Sequence, residues 1–200
     1  MNKNFLNDNK PLIIACGLSG TGKSFCAMRL ENHLLNYVRL NPELIRHELG
    51  IIHYSRKDTP KVLAKMIEKI EKYAAEGVGI IVDANLKSND LRQSFYDLAR
   101  HLKKDVLLIE FVCNDEESKR RIKDRNPLHL KINHPIDPKV YDNQKKAWQD
   151  IVIDMAFEEN SHVSFIRFDS FRKKTEIVDV KNSHDGMIKQ LIILLESEIF

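Results

Sequence analysis

Leu12-Ile-Ile-Ala-Cys16, followed by Gly17-Leu-Ser-Gly-Thr-Gly-Lys-Ser24, is an apolar run that opens into a glycine-rich loop. A helical pattern takes over from Lys23 to about Asn36. The eight-residue loop fits G-x-x-x-x-G-K-[ST] at every fixed position. Its glycines let the main chain curl so that successive N–H groups point inward, a concavity suited to anions. The helix that follows adds its unpaired N-terminal amides and the positive end of its dipole. Such a loop is a phosphate cradle, formed here by Gly17, Ser19, Gly20, Thr21, Gly22, Lys23 and Ser24. Lys23 is expected to reach the β- and γ-phosphates, and the Ser24 hydroxyl to ligate Mg²⁺.

Working outward, apolar runs alternate with helical patterns along nearly the whole chain. Tyr37–Leu40, Gly79–Asp83, Val106–Cys113 and Val163–Phe168 read as strands, with a further short strand over Glu176–Val180. Asn41-Pro42 and Thr59-Pro60 each place a capping residue before a proline, the start signal of a helix. Helices are expected from these points to Gly50 and Glu76, and over Ser88–Lys104, Asp115–Asn126, Tyr141–Phe157 and Met187–Ser197. Strands separated by helices of this length argue for an α/β fold, a mostly parallel sheet covered on both faces. The reading is a single domain over residues 1–200, with a small lid at about 119–146.

Composition narrows the classes. Of 200 residues, 42% are hydrophobic and 30% charged, which suits a sizeable core inside a polar surface. No apolar run approaches the length needed to span a membrane. The polar start leads straight into the strand and loop, so a secretory signal is not expected. Cys16, Cys26 and Cys113 cannot all pair and show no metal spacing, in keeping with a reducing cytoplasm. The net charge of +3 is concentrated between Lys119 and Lys146, where nine basic residues face three acidic ones. That excess points either to an anionic ligand or to a solvated helix face.

Three groups of residues bear on what happens at the cradle. Asp83 ends an apolar strand, where a carboxylate stands beside the metal of a bound nucleotide or simply caps a turn. Glu43 and Arg46 lie three apart on one helix face. Glu43 there serves as a base and Arg46 as an anion clamp, or Glu43 offsets the helix dipole, worth about 0.3–1 kcal/mol, and pairs with Arg46. Arg121 and Arg125, four apart, close over phosphate from a flap or pair with Glu117 and Asp124. A guanine-reading N-K-x-D sequence is absent.

Taken in order, the loop at 17–24, the E-x-x-R of Glu43–Arg46, Val82-Asp-Ala-Asn-Leu86 with Arg92, Arg121-x-x-x-Arg125 and His134-Pro-Ile-Asp137 resemble the 5′-hydroxyl polynucleotide kinase domain and related small P-loop kinases. The resemblance covers roughly residues 11–150. It implies a three-layer P-loop NTPase fold, ATP and Mg²⁺ as cofactors, and transfer of the γ-phosphoryl group to a hydroxyl. Lys23, Glu43, Asp83, Arg121 and Arg125 would then be catalytic, with Glu43 standing where the family has an aspartate one methylene shorter. Arg46, Asn85 and Arg92 would bind the acceptor, and Ser24 with Asp83 the metal. The acceptor is left open between a nucleic-acid end and a small metabolite or nucleoside. The expected partners are ATP and that acceptor, with no membrane and no obligate protein partner. A rival of another class is a non-catalytic ATP-binding module.

Overall fold

The computed structural model describes residues 10–52, 55–124, 138–156, 158–181 and 185–197. The chain alternates in the order β1 (Leu12–Gly17), α1 (Lys23–His33), β2 (Tyr37–Leu40), α2 (Pro42–Glu48), α3 (Thr59–Ala75), β3 (Gly79–Asp83), α4 (Asn89–His101), β4 (Val106–Val112) and α5 (Asp115–Lys123). It continues through α6 (Pro138–Lys146), β5 (Val163–Asp169), β6 (Lys174–Asp179) and α7 (Asp185–Glu196). The strands form one six-stranded sheet in the order β2-β3-β1-β4-β5-β6. All neighbours are parallel except β5 and β6, which are antiparallel.

β1 shows why the layers form. Its side chains alternate across the sheet, and neither face reaches water. Leu12, Ile14 and Cys16 pack with Ile45 of α2, Val62, Met66 and Ile70 of α3, and Phe95 and Tyr96 of α4. Ile13 and Ala15 pack on the opposite side with Cys26, Ala27 and Leu30 of α1 and Ile188, Leu191 and Leu195 of α7. Each large apolar side chain buried this way contributes about 1.5–3 kcal/mol before chain entropy is counted. The result is the expected three-layer α/β/α fold.

The strand order sets the place of the loop. From β1 the chain moves one way to β2 and β3, then crosses to β4 and β5 on the other side. Such a reversal leaves a crevice at the carboxyl ends of the central strands, where open α/β sheets bind ligands. The glycine-rich loop leaves β1 at that crevice.

Two expectations need correction. The helix read over Tyr141–Phe157 stops at Lys146, and Ile151–Ala156 is a 3₁₀ turn. The Gln149 amide donates to the Lys87 carbonyl at 2.9 Å, and Asp150 accepts from the Val152 amide at 3.0 Å. These contacts end the helix and turn the chain so that Asp154 enters the interior. The last strand begins earlier than read, at Lys174, because it pairs as a hairpin with β5. Arg125, His134–Asp137 and the middle of the 119–146 segment lie outside the described residues; its described flanks are the end of α5 and α6. Among the described residues, no helix is long and apolar enough to cross a membrane.

Candidate functional site

The loop after β1 has the backbone its sequence demands. Gly17, Gly20 and Gly22 have φ of 145°, 81° and 83°. A Cβ on Gly17 would lie 2.4 Å from the Phe111 carbonyl oxygen, and one on Gly20 would lie 2.3 Å from that of Ser118. Glycine at 17 and 20 therefore answers both to conformation and to close approach of β4 and α5. Thr21 is buried and donates from its hydroxyl to the Leu18 carbonyl at 2.9 Å, cross-bracing the curl.

At the end of β3, Asp83 lies beside β1, its Cα partnered with that of Ala15 two residues before Gly17. It is fully buried and gathers four side chains. The Ser24 hydroxyl donates to one carboxylate oxygen at 3.0 Å, and Lys23 Nζ stands 3.5 Å from the same oxygen. Arg39 and Asn41 each donate to the other at 2.8 Å. Burial works to raise the Asp83 pKa, but Lys23, the Asn41 hydrogen bond, Arg39 and Ser24 together hold it below its ordinary value. The carboxylate is thus kept ionised beside the loop's own lysine and hydroxyl.

Asn41 links this cluster to the next element. Its side-chain oxygen caps α2 by accepting from the Glu43 amide at 2.8 Å, while its amide nitrogen holds Asp83. Glu43 is partly exposed, and Arg46, largely buried, donates to it at 2.6 Å. Arg46 and Asn85 also line a cavity of about 120 Å³ whose other walls include Val62, Met66, Leu91 and Phe95. Among the described residues, the Asn85 side-chain oxygen is buried without a hydrogen-bond partner. Its main-chain oxygen accepts from the Gly17 amide at 3.4 Å, so this cavity adjoins the start of the loop.

A second cavity, of about 320 Å³, flanks the other end of the loop and is lined by Gly22, Phe25, Cys26, Arg121, Phe168 and Ser170. Burial pushes the Cys26 thiol up to about 12, which keeps it neutral and inert in this wall. Arg121 donates to Glu117 at 2.7 Å and to the Ser170 hydroxyl at 2.9 Å. Its guanidinium also lies 3.5 Å from the Gly20 carbonyl, which brings it to the cradle.

Arg92 is placed elsewhere than the motif suggests. It has no exposed surface, donates through two nitrogens to Asp154, and gives a third hydrogen bond to the Leu86 carbonyl at 3.1 Å. Leu86 has φ of 44°, the left-handed region, so Arg92 holds the strained turn that presents Asn85. Its side chain supports that turn from the interior. The sequence reading did not single out Arg39, Asn41's contact to Asp83, or Gln144, whose side-chain oxygen accepts from the Ser19 amide at 3.0 Å. The first two become visible only when β2 is known to lie beside β3.

Ser24 and Asp83 offer Mg²⁺ a hydroxyl and an ionised carboxylate, the hard oxygen donors that ion takes alongside water and phosphate. No cluster of three or more histidine, cysteine or carboxylate ligands exists among the described residues. That sparse donor set fits a metal brought and shared by a nucleotide.

Solved structures share this fold. A chain of the Pnkp1/Rnl/Hen1 RNA repair complex superposes with a TM-score of 0.61 at 19% identity over 79% of this chain; the match spans 49% of that chain, about half its length. Kti12 from Chaetomium thermophilum, in complex with ADP-AlF3, gives 0.60 at 14% identity, covering 92% of this chain and 97% of that one. A gluconokinase from Sinorhizobium meliloti 1021 gives 0.53 at 12%, covering 95% and 93%. No curated protein matches the sequence. A family model described as an AAA domain (AAA_33) matches residues 12–151, from β1 through the chain just past α6, and the protein belongs to that family.

Proposed function

We propose that the protein is an ATP-dependent kinase that moves the γ-phosphoryl group to a hydroxyl of a compact acceptor. The observation that carries this reading is the convergence of Lys23 and Ser24 on the buried, ionised Asp83 at the crevice. It gives the loop the lysine, hydroxyl and carboxylate that ATP and Mg²⁺ require.

On this reading the nucleobase enters the 320 Å³ cavity beside Phe25 and Arg121, and the phosphates follow the loop toward Asn85. Lys23 turns from Asp83 to the β- and γ-phosphates. Bound Mg²⁺, held through Ser24 and Asp83, supplies charge neutralisation. The acceptor sits in the 120 Å³ cavity, with its hydroxyl toward Glu43. The hydroxyl oxygen bonds to the γ-phosphorus, the bond to the ADP oxygen breaks, and the hydroxyl proton passes to Glu43. Arg46 holds Glu43 in place at 2.6 Å and offers its guanidinium to the acceptor. Arg121, and with it Arg125 in the segment outside the described residues, neutralises charge as the phosphoryl group moves. Positioning and electrostatics supply nearly all the rate gain, since phosphoryl transfer asks little covalent chemistry of the protein.

The cavity favours a small molecule over a polymer because it admits one ring-sized group between mostly apolar walls. Its polar need is specific: the buried Asn85 oxygen calls for an N–H or O–H donor. Transfer of labelled γ-phosphate from ATP, measured against nucleosides, sugars, amino alcohols and 5′-hydroxyl oligonucleotides, tests the reading. Lys23→Ala is expected to abolish transfer. Glu43→Gln is expected to cut turnover by about 10²-fold or more while sparing ATP binding. Wild-type turnover in Glu43→Gln removes the base assignment, and labelling of oligonucleotides alone overturns the compact acceptor.

A further inference from the structure

Gln144 touches the cradle from outside the motif that defines it. It lies on α6, 125 residues along the chain from Ser19, and its side-chain oxygen accepts the Ser19 amide hydrogen at 3.0 Å. α6 is seated firmly enough for that contact to be specific. Tyr141 is buried and donates to Asp115 of α5 at 2.9 Å, and Lys119 of α5 pairs with Asp142 at 2.8 Å. Five residues beyond Gln144, Gln149 bonds the β3–α4 loop twice, to the Lys87 carbonyl and from the Asn89 amide at 2.6 Å. The segment therefore crosses the mouth of the loop on its acceptor side.

The direction of the bound phosphates follows from the two cavities. One adjoins Gly22, at the helix end of the loop. The other adjoins Asn85, whose carbonyl holds Gly17 at the strand end. A phosphate chain running from the first to the second passes the strand end last, so Ser19 faces the terminal phosphate. A carboxamide has one acceptor oxygen and two N–H donors on a fixed plane. With its oxygen on Ser19, Gln144 presents those donors beside the place the terminal phosphate takes.

We infer that Gln144 is a terminal-phosphate contact that distinguishes nucleoside triphosphate from diphosphate. This rests on the nucleotide reading above. Gln144 reads the phosphate without adding charge, accepting from the loop and donating to the phosphate at once.

The test is a pair of titrations on the full chain with Mg²⁺, one with ADP and one with the non-hydrolysable imido analogue of ATP. In Gln144→Ala, affinity for the analogue is expected to fall about tenfold and ADP affinity to change less than about twofold. Gln144→Glu keeps the shape and the bond from Ser19 but puts a negative charge against the phosphate. Its loss of the analogue is expected to exceed that of Gln144→Ala, again with ADP spared. If both nucleotides weaken together, or neither changes, Gln144 merely staples α6 to the loop and the inference fails. If the wild-type protein binds neither nucleotide, the proposed function itself fails, an outcome the wild-type titration separates from the others.

Discussion

Burial alone would raise the Asp83 carboxyl above its usual 3.8, but Lys23, Asn41, Arg39 and Ser24 reverse that and hold it lower. In the unfolded chain the group returns to its ordinary value. The ionised form therefore contributes stability that is complete above the unfolded pKa and is lost as pH falls through the folded one. Asp83→Asn removes this dependence, takes the counter-charge from Lys23 and leaves Arg39 with Glu31 at 3.7 Å. At about pH 6 the variant is expected to be less stable than wild type by about 3 kcal/mol. The gap should narrow as the pH is lowered below about 4. Urea unfolding across that range is the measurement; a gap that stays constant would show that Asp83 is not the titrating group. Asp83 itself was legible in the sequence because an apolar run ended in a carboxylate. Arg39 was not, since one arginine in Tyr37-Val-Arg-Leu40 carries no signal until the strand order places it beside β3. Arg92 shows the reverse: the motif order singled it out for the acceptor, and only its depth reveals that it bonds inward.

The α4 helix and the 3₁₀ turn at Ile151–Ala156 are joined by a polar cluster whose centre, Arg92, Tyr96 and Asp154, is buried. Arg92 donates twice to Asp154, Tyr96 donates to it at 3.1 Å, and Asn89 does so at 2.9 Å. A buried pair of this kind is costly to halve and far cheaper to replace whole. Asp154→Ala is expected to lower stability by about 3–5 kcal/mol, with Arg92→Met/Asp154→Leu recovering a large part of it. Recovery of stability should not restore acceptor affinity, because Arg92 also holds the Leu86 carbonyl in the left-handed turn that presents Asn85. Chemical denaturation of the three proteins, with the acceptor KM of each, separates these effects. A cost below about 1 kcal/mol for Asp154→Ala would mean the cluster is not a structural support. The same pair explains why the helix that the spacing predicts over Tyr141–Phe157 stops at Lys146. Apolar spacing continues through Phe157, but Asp154 gains more from the interior arginine than from one more helical turn. Asp150, a residue suited to starting a new turn, was the one local cue to the break.

Across the whole molecule, part of the charge that looks concentrated in sequence is matched in space. The surplus between Lys119 and Lys146 ignores the acidic first turn of α5, which folds onto it. Arg120 pairs with Glu117 and Asp124, Arg121 with Glu117, Lys119 with Asp142, and Lys145 with Asp115. Such exposed pairs add little stability, but their carboxylates weaken the field that an extended polyanion would need. The sheet, its layers, the loop and the pairs within α5 could be read from local pattern; Lys119–Asp142 and Lys145–Asp115 could not, because they depend on α6 packing against α5. The pairing bears directly on the acceptor. A single-stranded oligonucleotide gathered along a basic groove would show a binding constant falling with salt at a logarithmic slope of about −0.7 per phosphate contacted. With four of these cations already paired and a cavity of about 120 Å³ at the crevice, this protein is expected to show a slope no steeper than about −2. Fluorescence anisotropy of a labelled 5′-hydroxyl oligonucleotide, titrated at several salt concentrations, measures it. A slope steeper than about −4 would require a phosphate-tracking surface and transfer the acceptor assignment to a nucleic-acid end.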